Sequence, residues 1–294
     1  MTLSGRTVIL TGASGGIGAA LTAALVEQGA TVIAVGRDRG RLASLVAKHR
    51  PGRVVPVQAD LCTAAGRDTL REAARAATPS MLVLAHAQSA FGLFEQQDDA
   101  ALRTVVETNL LAPMLLIRAL LPLLMARPDA AVVAVGSTFG SLAFPGFAAY
   151  SASKFGLRGL MEALAREHAD GRVRFQYLSP RATRTAFNTP AVVALNRALK
   201  TREDEPADVA AKLVAAIRRG DRRRQLGWPE KLFARINGLF PALIDRALRA
   251  QLPEVRRHAG AASTHAPEIP HDIATSHPVR RPAVRPDGAA GLGQ

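Results

Sequence analysis

The sequence predicts one α/β domain built on a doubly wound parallel sheet. Short apolar runs rich in β-branched residues alternate along the chain with stretches that read as helices, and this alternation is typical of a parallel sheet covered on both faces. The crossovers between such strands are expected to be right-handed. With 294 residues, of which 48% are apolar and 21% charged, the chain is long enough for a substantial core and is not a mostly disordered protein.

Six strands and the helices between them follow from the positions of the apolar runs. The strands are predicted over Thr7–Leu10, Thr31–Val35, Val54–Gln58, Met81–Ala85, Ala131–Val135 and Val173–Leu178. The helices are predicted over Ala19–Gln28, from the second strand to about Lys48, and over Ala64–Ala77, Asp99–Met125 and Tyr150–His168. Gly29 follows the first helix and is the residue type that most often ends one.

The last third of the chain adds a helix, an edge strand and an extension. The helix runs from Glu205 to Arg219, with acidic residues near the positive end of its dipole, and Arg224–Gly227 is predicted as a seventh strand. We therefore expect a main domain over 1–228, an amphipathic helical segment over 229–260 and a disordered tail over 261–294. Pro, Ala, His, Gly and Arg follow no period in that tail.

The amphipathic segment carries apolar residues at helical spacing from Leu232 to Leu248, with a kink expected at Pro241. Such a stripe normally covers the core of its own domain. It is equally suited to close over a hydrophobic substrate pocket or to pack between subunits. Because Lys and Arg residues flank the stripe, peripheral contact of 229–250 with an anionic membrane is a further alternative.

Composition and charge limit the class of protein. The formal net charge is +14, but only five of the 38 basic residues are lysines and aromatic residues are 4%, so a nucleic-acid partner is not expected. The single cysteine, Cys62, excludes an intramolecular disulfide framework and a multi-cysteine zinc site, and no metal is predicted. No apolar run approaches the roughly 20 residues of a membrane span, and no secretory signal is recognisable, so we expect a cytoplasmic protein.

A glycine-rich turn joins the first strand to the first helix. Residues 11–18 read Thr-Gly-Ala-Ser-Gly-Gly-Ile-Gly. Glycine lets a diphosphate approach the backbone, and the N–H groups of the following helix receive its negative charge. The position between a strand and a helix favours a dinucleotide site over a merely tight turn. The predicted phosphate-binding residues are Gly12, Ser14, Gly16, Ile17 and Gly18.

The end of the second strand indicates which dinucleotide is bound. NAD-selective sites place a carboxylate there to accept the ribose hydroxyls, whereas this chain has Arg37. Arg37 is suited to pair with a 2′-phosphate, so NADP is favoured over NAD. Asp38 is the next residue and is able to neutralise Arg37, which leaves a solvated helix start as the alternative.

Ser137, Tyr150 and Lys154 form a candidate catalytic group. Tyr150 and Lys154 are four residues apart and share a helix face, and an ammonium beside a phenol lowers the pKa of the phenol. A phenol so tuned exchanges a proton with a carbonyl oxygen or an alcohol while hydride moves. Ser137, after the fifth strand, is placed to hydrogen-bond the same oxygen. Packing at a helix start is the alternative role for the tyrosine.

Asn109 lies four residues before Pro113 in the long predicted helix. Because proline has no N–H and clashes with the carbonyl four residues back, the Asn109 carbonyl is expected to lose its helical partner. That carbonyl is then left free. A helix kink without a function is the alternative.

Taken together, these segments resemble the short-chain dehydrogenase/reductase family in its classical form, from about Leu3 to Ala250. The matching segments are Thr11–Gly18, Asp60-Leu61, Asn109, Gly136-Ser137, Tyr150–Lys154 and Pro180 with Thr185. The resemblance implies a Rossmann-type sheet, a nicotinamide cofactor and a catalytic tetrad. It also implies a homodimer or homotetramer formed through the helices that carry Asn109 and Tyr150.

The family roles fall on matching positions of this chain. Ser137 would orient the substrate carbonyl, Tyr150 would act as acid and base, and Lys154 would bind the nicotinamide ribose. Asn109 would complete the tetrad by holding a water. The remaining cofactor contacts implied are Asp60 with the adenine ring, its neighbour Leu61, Pro180, and Thr185 with the nicotinamide carboxamide.

The chain departs from the family pattern at two loops. Ala85-His86-Ala87-Gln88 stands where Asn-Asn-Ala-Gly is usual, and Pro180-Arg181 stands where Pro-Gly is usual. Side chains at these two lost glycines are expected to crowd the cofactor. His86 is expected to stabilise the central strand rather than to catalyse.

Two functions are consistent with this pattern. The favoured one is an NADP-dependent oxidoreductase that interconverts a ketone and a secondary alcohol with a small-molecule substrate. The mainly apolar segment from Ala186 to Lys200, which should border the pocket, favours a lipophilic substrate. The alternative is a non-catalytic dinucleotide-binding regulatory protein on the same fold.

Overall fold

The structure, a computed structural model, describes residues 2–263 and confirms the doubly wound parallel sheet. Among the described residues, seven strands form one sheet in the order β3-β2-β1-β4-β5-β6-β7, and every pair is parallel. The strands are β1 Thr7–Thr11, β2 Thr31–Gly36, β3 Val54–Gln58, β4 Met81–Leu84, β5 Ala130–Val135, β6 Val173–Ser179 and β7 Arg223–Gln225. The strand order reverses between β1 and β4, and ligands bind at such a switch point, beyond the carboxyl ends of the strands.

Helices cover both faces of the sheet and continue beyond it. They are α1 Gly16–Glu27, α2 Arg39–Val46, α3 Ala64–Ala77, α4 Asp99–Val106, α5 Ala112–Met125, α6 Ala148–Glu167, α7 Pro190–Ala198, α8 Pro206–Arg219, α9 Glu230–Leu239, α10 Pro241–Arg249 and α11 Leu252–Ser263. The sequence prediction missed α7, whose start is marked by Thr189 as N-cap and Pro190 in the first turn.

Two hydrophobic cores lie on opposite faces of the sheet. On one face, Leu21 of α1 and Leu213 of α8 pack with strand residues such as Val8. On the other face, Leu116 of α5 and Leu157 of α6 pack with Ile9 and its neighbours. Because successive strand residues point to opposite faces, continuous apolar strands feed both cores, as expected for a parallel sheet.

The long helix predicted over Asp99–Met125 is interrupted by a π turn over Glu107–Leu111. The N–H of Ala112 donates to the carbonyl of Glu107, five residues back. Pro113, which cannot donate to Asn109, gives the reason for the widened turn. By length and composition alone Asp99–Met125 would suffice to cross a membrane. Its residues Leu116 and Leu120 nevertheless lie buried in the core beneath the sheet.

The amphipathic segment forms three helices rather than one kinked helix. The break between α9 and α10 falls at Phe240–Pro241, as the proline requires. The last described helix, α11, extends to Ser263, three residues beyond the predicted boundary. The rest of the predicted tail lies outside the described residues. The division of the chain into 1–228, 229–260 and 261–294 stays a prediction.

Candidate active site

A cavity of about 950 Å³ opens at the carboxyl ends of the strands. This volume lies at the upper end of the range for small-molecule and cofactor sites. Of the residues predicted for the site, all except Asn109 line this cavity: Gly12, Ser14, Gly16, Ile17, Gly18, Arg37, Asp60, Leu61, Ser137, Tyr150, Lys154, Pro180 and Thr185. The fold therefore places the predicted phosphate loop and the predicted catalytic group in the lining of one cavity.

The glycine loop, residues 12–18, has no room for side chains at three of its glycines. A Cβ on Gly18 would lie 2.0 Å from the carbonyl oxygen of Gly12, and a Cβ on Gly16 would lie 2.3 Å from Cγ2 of Thr185. Gly12 has φ +67° and packs on the backbone of His86. The loop thus holds the start of α1 against the loops that follow β4 and β6.

The start of α1 is built to receive an anion. Gly15 is its N-cap, and no side chain accepts a hydrogen bond from the first turn. The first N–H groups of a helix lack intrahelical partners, and together with the helix dipole they attract phosphate. The residues present therefore fit the diphosphate of a dinucleotide.

Arg37 follows β2 and is exposed at the cavity rim. Asp38 does not pair with it in the described structure. Asp38 is instead the N-cap of α2, and its Oδ1 accepts a 2.9 Å hydrogen bond from the N–H of Arg41. Arg41 lines the same cavity, so two arginines border it close to the end of β2.

Three further predicted cofactor residues lie on the loops after β3 and β6. Asp60 is held by a 3.0 Å hydrogen bond from the Cys62 N–H to its Oδ1. The Pro180 carbonyl accepts a 3.1 Å bond from the Thr138 N–H. The hydroxyl oxygen of Thr185 accepts a 3.3 Å bond from the Phe187 N–H, which leaves its methyl group against Gly16.

Tyr150 and Lys154 are both buried and lie on one face of α6, as predicted. The Lys154 Nζ lies 5.8 Å from the centre of the Tyr150 ring and donates a 3.3 Å hydrogen bond to the carbonyl of Val135, at the end of β5. Ser137 lies just beyond β5 and lines the same part of the cavity as Tyr150; its Oγ accepts a 3.1 Å hydrogen bond from the Phe139 N–H. The three groups thus meet at the carboxyl end of β5.

Burial governs the ionisation of this group, and here the sequence expectation was wrong in direction. Desolvation raises the pKa of Tyr150 to about 12, against a smaller opposing effect of the nearby Ser137 side chain. Desolvation likewise lowers the pKa of Lys154 to about 8. A low dielectric disfavours the phenolate and the ammonium alike, so the proximity of Lys154 alone does not lower the pKa of Tyr150 below its ordinary value.

Asn109 is fully buried behind the cavity, and its side chain hydrogen-bonds both the loop after β4 and helix α6. Its Oδ1 accepts a 2.7 Å bond from the Gln88 N–H, and its Nδ2 donates 2.9 Å to the Gln88 carbonyl and 3.1 Å to the Ser153 hydroxyl. The Ser153 hydroxyl donates in turn to the carbonyl of Tyr150 at 2.7 Å. The amide therefore ties the loop after β4 to the helix that carries the tyrosine.

His86 supports the central strands, as predicted. Its Nδ1 lies 2.6 Å from the Thr11 hydroxyl, which also accepts a 3.1 Å bond from the Ala85 N–H. Desolvation, with a smaller contribution from Lys154, lowers the pKa of His86 to about 4, so the imidazole is neutral at neutral pH. The neighbouring Gln88 is exposed and contacts Asn109 through its backbone.

The Arg181 side chain was expected to crowd the cofactor, but it turns instead to acidic partners in the protein. Its Nη2 donates a 2.5 Å bond to Asp204, and its Nη1 donates to the Trp228 carbonyl at 3.0 Å and lies 3.4 Å from Glu230. The hydrogen bond from Arg181 holds the pKa of the Asp204 carboxyl below its ordinary value. This buried network joins the loop after β6 to the start of α9. The sequence analysis could not find this network, because Arg181 and Asp204 are 23 residues apart and belong to no recognisable motif.

The wall beside Tyr150 is apolar. An aromatic cluster of Phe91, Phe139, Phe144 and Phe147 packs there, with Phe139 and Phe147 each 6.4 Å from the Tyr150 ring. The sequence analysis did not find this cluster, because the four residues are spread over 57 positions and only the loops bring them together. Phe187, from the predicted apolar segment, lies 6.1 Å from Tyr150 on another side.

The amphipathic segment also contributes to the cavity. Phe233 of α9 and Ile244 and Leu248 of α10 line it. Of the arrangements considered for this segment, closure over an apolar pocket is the one these contacts match. Among the described residues, no group of three or more His, Cys, Asp or Glu side chains is placed to hold a metal ion.

Comparison with known proteins adds independent findings. A family model described as short chain dehydrogenase matches residues 6–194. The "Uncharacterized oxidoreductase YciK" of Escherichia coli is 32% identical over 76% of this chain and 90% of its own. The "Ketoacyl reductase HetN" of a Nostoc species is 32% identical over 61% of this chain and 64% of its own.

A solved structure is similar as well. A short chain dehydrogenase from Burkholderia cenocepacia, crystallised in complex with NADP, is 25% identical with a TM-score of 0.73. The similarity covers 84% of this chain and 99% of that one.

The steric fit of the glycine loop gives a first prediction. Gly18→Ala should weaken NADPH binding by at least about tenfold, because backbone atoms 2.0 Å from the new Cβ must move and displace the N–H groups of α1. Fluorescence titration with NADPH measures this. The control is Gly159→Ala on α6, where a Cβ meets nothing within 4 Å. Equal affinities in the two variants would contradict the assignment of the loop.

The buried ammonium gives a second prediction. Between about pH 8 and the ordinary lysine value of 10.5, the unfolded chain holds a proton that folded Lys154 has lost, so wild-type stability rises with pH in that window. Below pH 8 the charged Lys154 lowers the free energy of unfolding by the full cost of its burial, about 3 kcal/mol. Lys154→Met should therefore unfold at higher urea concentration than wild type near neutral pH, and this advantage should shrink as the pH rises toward 10.

The exposed Lys48 provides the control for that experiment. Lys48→Met should change the free energy of unfolding by the same amount at both ends of the pH range. A constant difference between Lys154→Met and wild type would show that burial does not set the charge of Lys154.

Proposed function

This chain belongs to the short-chain dehydrogenase family, and we propose that within it the protein is an NADP-dependent oxidoreductase that interconverts a ketone and a secondary alcohol on a lipophilic substrate. NAD(P)-dependent dehydrogenase or reductase activity follows from the family. The observation that carries the finer proposal is that Ser137, Tyr150 and Lys154 line the same cavity as the glycine loop. No comparison favours the non-catalytic alternative.

Tyr150 is the acid in the reducing direction. Burial keeps its phenol protonated at neutral pH, which is the form that donates a proton to a carbonyl oxygen. The hydroxyl of Ser137 hydrogen-bonds the same oxygen and stabilises the charge that develops on it. A nicotinamide cofactor held by these residues would supply the hydride for reduction and accept it in oxidation. Lys154 holds positive charge behind the tyrosine and would contact the nicotinamide ribose.

Asn109 supports this chemistry as a positioning residue. Its side chain bonds to Gln88 and Ser153, and through Ser153 to the first turn of α6. It therefore fixes the position of Tyr150 relative to the loop after β4. Asn109 lies within the π turn, four residues before Pro113, and its side chain is fully buried.

NADP is proposed over NAD because of the charges at the rim. Arg37 and Arg41 lie beside the adenosine position, and the carboxylate of Asp38 is committed to capping α2. A 2′-phosphate accepts charge-assisted hydrogen bonds from two guanidinium groups.

A lipophilic substrate is proposed from the lining next to Tyr150. The aromatic cluster, Phe187 and the inner side of α10 surround the position of the reacting carbonyl with apolar surface. Such a wall favours an acyl or ring-fused ketone over a sugar, because a sugar would leave hydroxyl groups without partners. The ketoacyl reductase among the relatives agrees with a carbonyl substrate of this class.

We also propose that the protein is a homo-oligomer assembled through the helices that carry Asn109 and Tyr150. Leu111, Met114 and Phe155 expose apolar surface on that side of the molecule. Exposed apolar patches of this kind mark interaction surfaces. Light scattering of the full chain measures the assembly, and a monomer would overturn this part of the proposal.

Removal of the Tyr150 hydroxyl tests the activity. Tyr150→Phe should lower turnover of NADPH with an active ketone by about 10²- to 10⁴-fold, since it deletes the proton donor. The control is Tyr177→Phe, a buried hydroxyl outside the cavity that donates to the Lys154 carbonyl and should retain most of the activity. NADPH binding in each variant reports folding. Full turnover by Tyr150→Phe would refute the mechanism, and wild-type binding without turnover on any ketone would favour the regulatory alternative.

The choice of cofactor is tested at Arg37. Arg37→Ala should lower kcat/KM for NADPH by about 10- to 100-fold, the value of one hydrogen bond to a charged group, and should leave kcat/KM for NADH nearly unchanged. Steady-state kinetics with both cofactors measures the ratio. Arg39→Ala, an exposed arginine two residues on that does not line the cavity, is the matched control. An unchanged ratio in Arg37→Ala would remove the case for NADP.

A further inference from the structure

The hairpin formed by α9 and α10 exposes apolar side chains where the two helices meet. We define its tip as residues 239–243, a run of Leu-Phe-Pro-Ala-Leu in which every residue is exposed. The exposed fractions are 73% for Leu239, 61% for Phe240 and 61% for Leu243. A contiguous apolar surface of this kind on a folded chain marks a contact with another apolar phase.

The two helices have distinct inner and outer faces. On α10 the inner face consists of Ile244 and Leu248, one turn apart, which line the cavity. Leu243 is on the outer face. On α9, Leu232 and Leu239 are seven residues apart and share the outer face, where both are exposed. The apolar stripe is thus wider than the cavity requires, and its outer half has no partner in the described structure.

The hairpin is held firmly to the domain, so its exposure is not that of a loose end. Arg181 pairs with Glu230 at the start of α9. Further along α9, Asn237 donates a 3.1 Å hydrogen bond to the Ser141 carbonyl. Ile244 is buried. These anchors fix the inner side and leave the tip directed away from the core.

Cations accompany the outer face. Lys231, Arg235, Arg246 and Arg249 are exposed on the hairpin, and none of the four forms an ion pair within the described residues. Arg235 lies three residues after Leu232 and four before Leu239, and therefore between them on the helix surface. The hairpin carries two acidic residues, Glu230 and Asp245. Glu230 pairs with Arg181, so Asp245 is the one acid left to offset the four cations.

The charge pattern decides what covers the tip. A second copy docking through the same surface would bring Arg235 and Arg246 close to their own equivalents, and like charges oppose such an isologous contact. An anionic lipid bilayer matches both the apolar tip and the cations. Leucine and phenylalanine enter its acyl region, while arginine extends to the phosphates of its headgroups.

We propose that the α9–α10 hairpin docks the protein on an anionic phospholipid bilayer, with the tip inserted at the boundary between headgroups and acyl chains. Lys231, Arg235, Arg246 and Arg249 bind the lipid phosphates. If the proposed function holds, the cavity mouth formed by the inner face of the same hairpin then lies at the membrane, and a lipophilic ketone enters without crossing water. The docking itself does not depend on that activity.

Vesicle flotation of the full chain, without cofactor or substrate, tests the docking. Wild type should bind vesicles of phosphatidylcholine mixed with phosphatidylglycerol and bind much less to phosphatidylcholine alone. The triple variant Leu239→Ser, Phe240→Ser, Leu243→Ser should lose at least about tenfold in binding. The control is Val55→Ser, which removes an exposed apolar side chain, 44% exposed, from edge strand β3 on another part of the molecule.

A second pair of variants tests the charge. Arg235→Ala with Arg246→Ala should weaken binding to the anionic vesicles by roughly 25-fold, about fivefold for each arginine. Arg39→Ala with Arg75→Ala removes two exposed arginines from other helices and should leave binding nearly unchanged. None of the hairpin variants lines the cavity, so NADPH binding confirms that each is folded.

The outcomes separate the proposal from its competitors. Failure of wild type to bind anionic vesicles, or equal binding by the tip variant, overturns the proposal whatever the enzyme assay gives. Equal binding to neutral vesicles overturns the role of the cations. A drop in oligomer size caused by the tip variant identifies the tip as a subunit contact and also overturns the proposal.

Discussion

Close backbone contact around the start of α1 is the constraint on which the site depends. Gly18 lies against Gly12, Gly12 against His86, and Gly16 against Thr185. These contacts bring the loops after β1, β4 and β6 together at the point where the strand order reverses. A side chain at any of the three glycines would separate those loops. The uncapped first turn of α1 and the cavity that it faces both follow from this steric arrangement.

Burial sets the electrostatics of the reacting groups. Tyr150 and Lys154 are held on one side of α6, and desolvation favours the neutral form of both. His86 is kept neutral by the same effect. The uncharged phenol is suited to give a proton to a carbonyl. Positive charge close to the tyrosine would stabilise the phenolate that remains once the proton has been given up. The hydrogen bonds of Asn109 and Ser153 keep this arrangement in place without entering the cavity.

The C-terminal helices connect the site with the outside of the molecule. Arg181, in a loop position where the family commonly has glycine, anchors α9 through Glu230 and also binds Asp204. The departure from the family pattern is thereby explained as a structural link between the cofactor loop and the hairpin. The inner face of the hairpin completes an apolar cavity, and its outer face carries the exposed tip and its cations.

The sequence by itself determined the parallel sheet, six strands to within a residue or two, the glycine-rich turn before α1 and the placing of Tyr150 and Lys154 on one helix face. All of these depend on local patterns: strand runs, a glycine spacing, and residues one helical turn apart. It did not determine the direction of the Tyr150 pKa shift, the pairing of Arg181 with Asp204, the aromatic cluster or the exposure of the tip. Those are consequences of burial and of contacts between residues far apart in the chain. Desolvation and long-range pairing exist only once the elements have packed, so only the tertiary structure decided them.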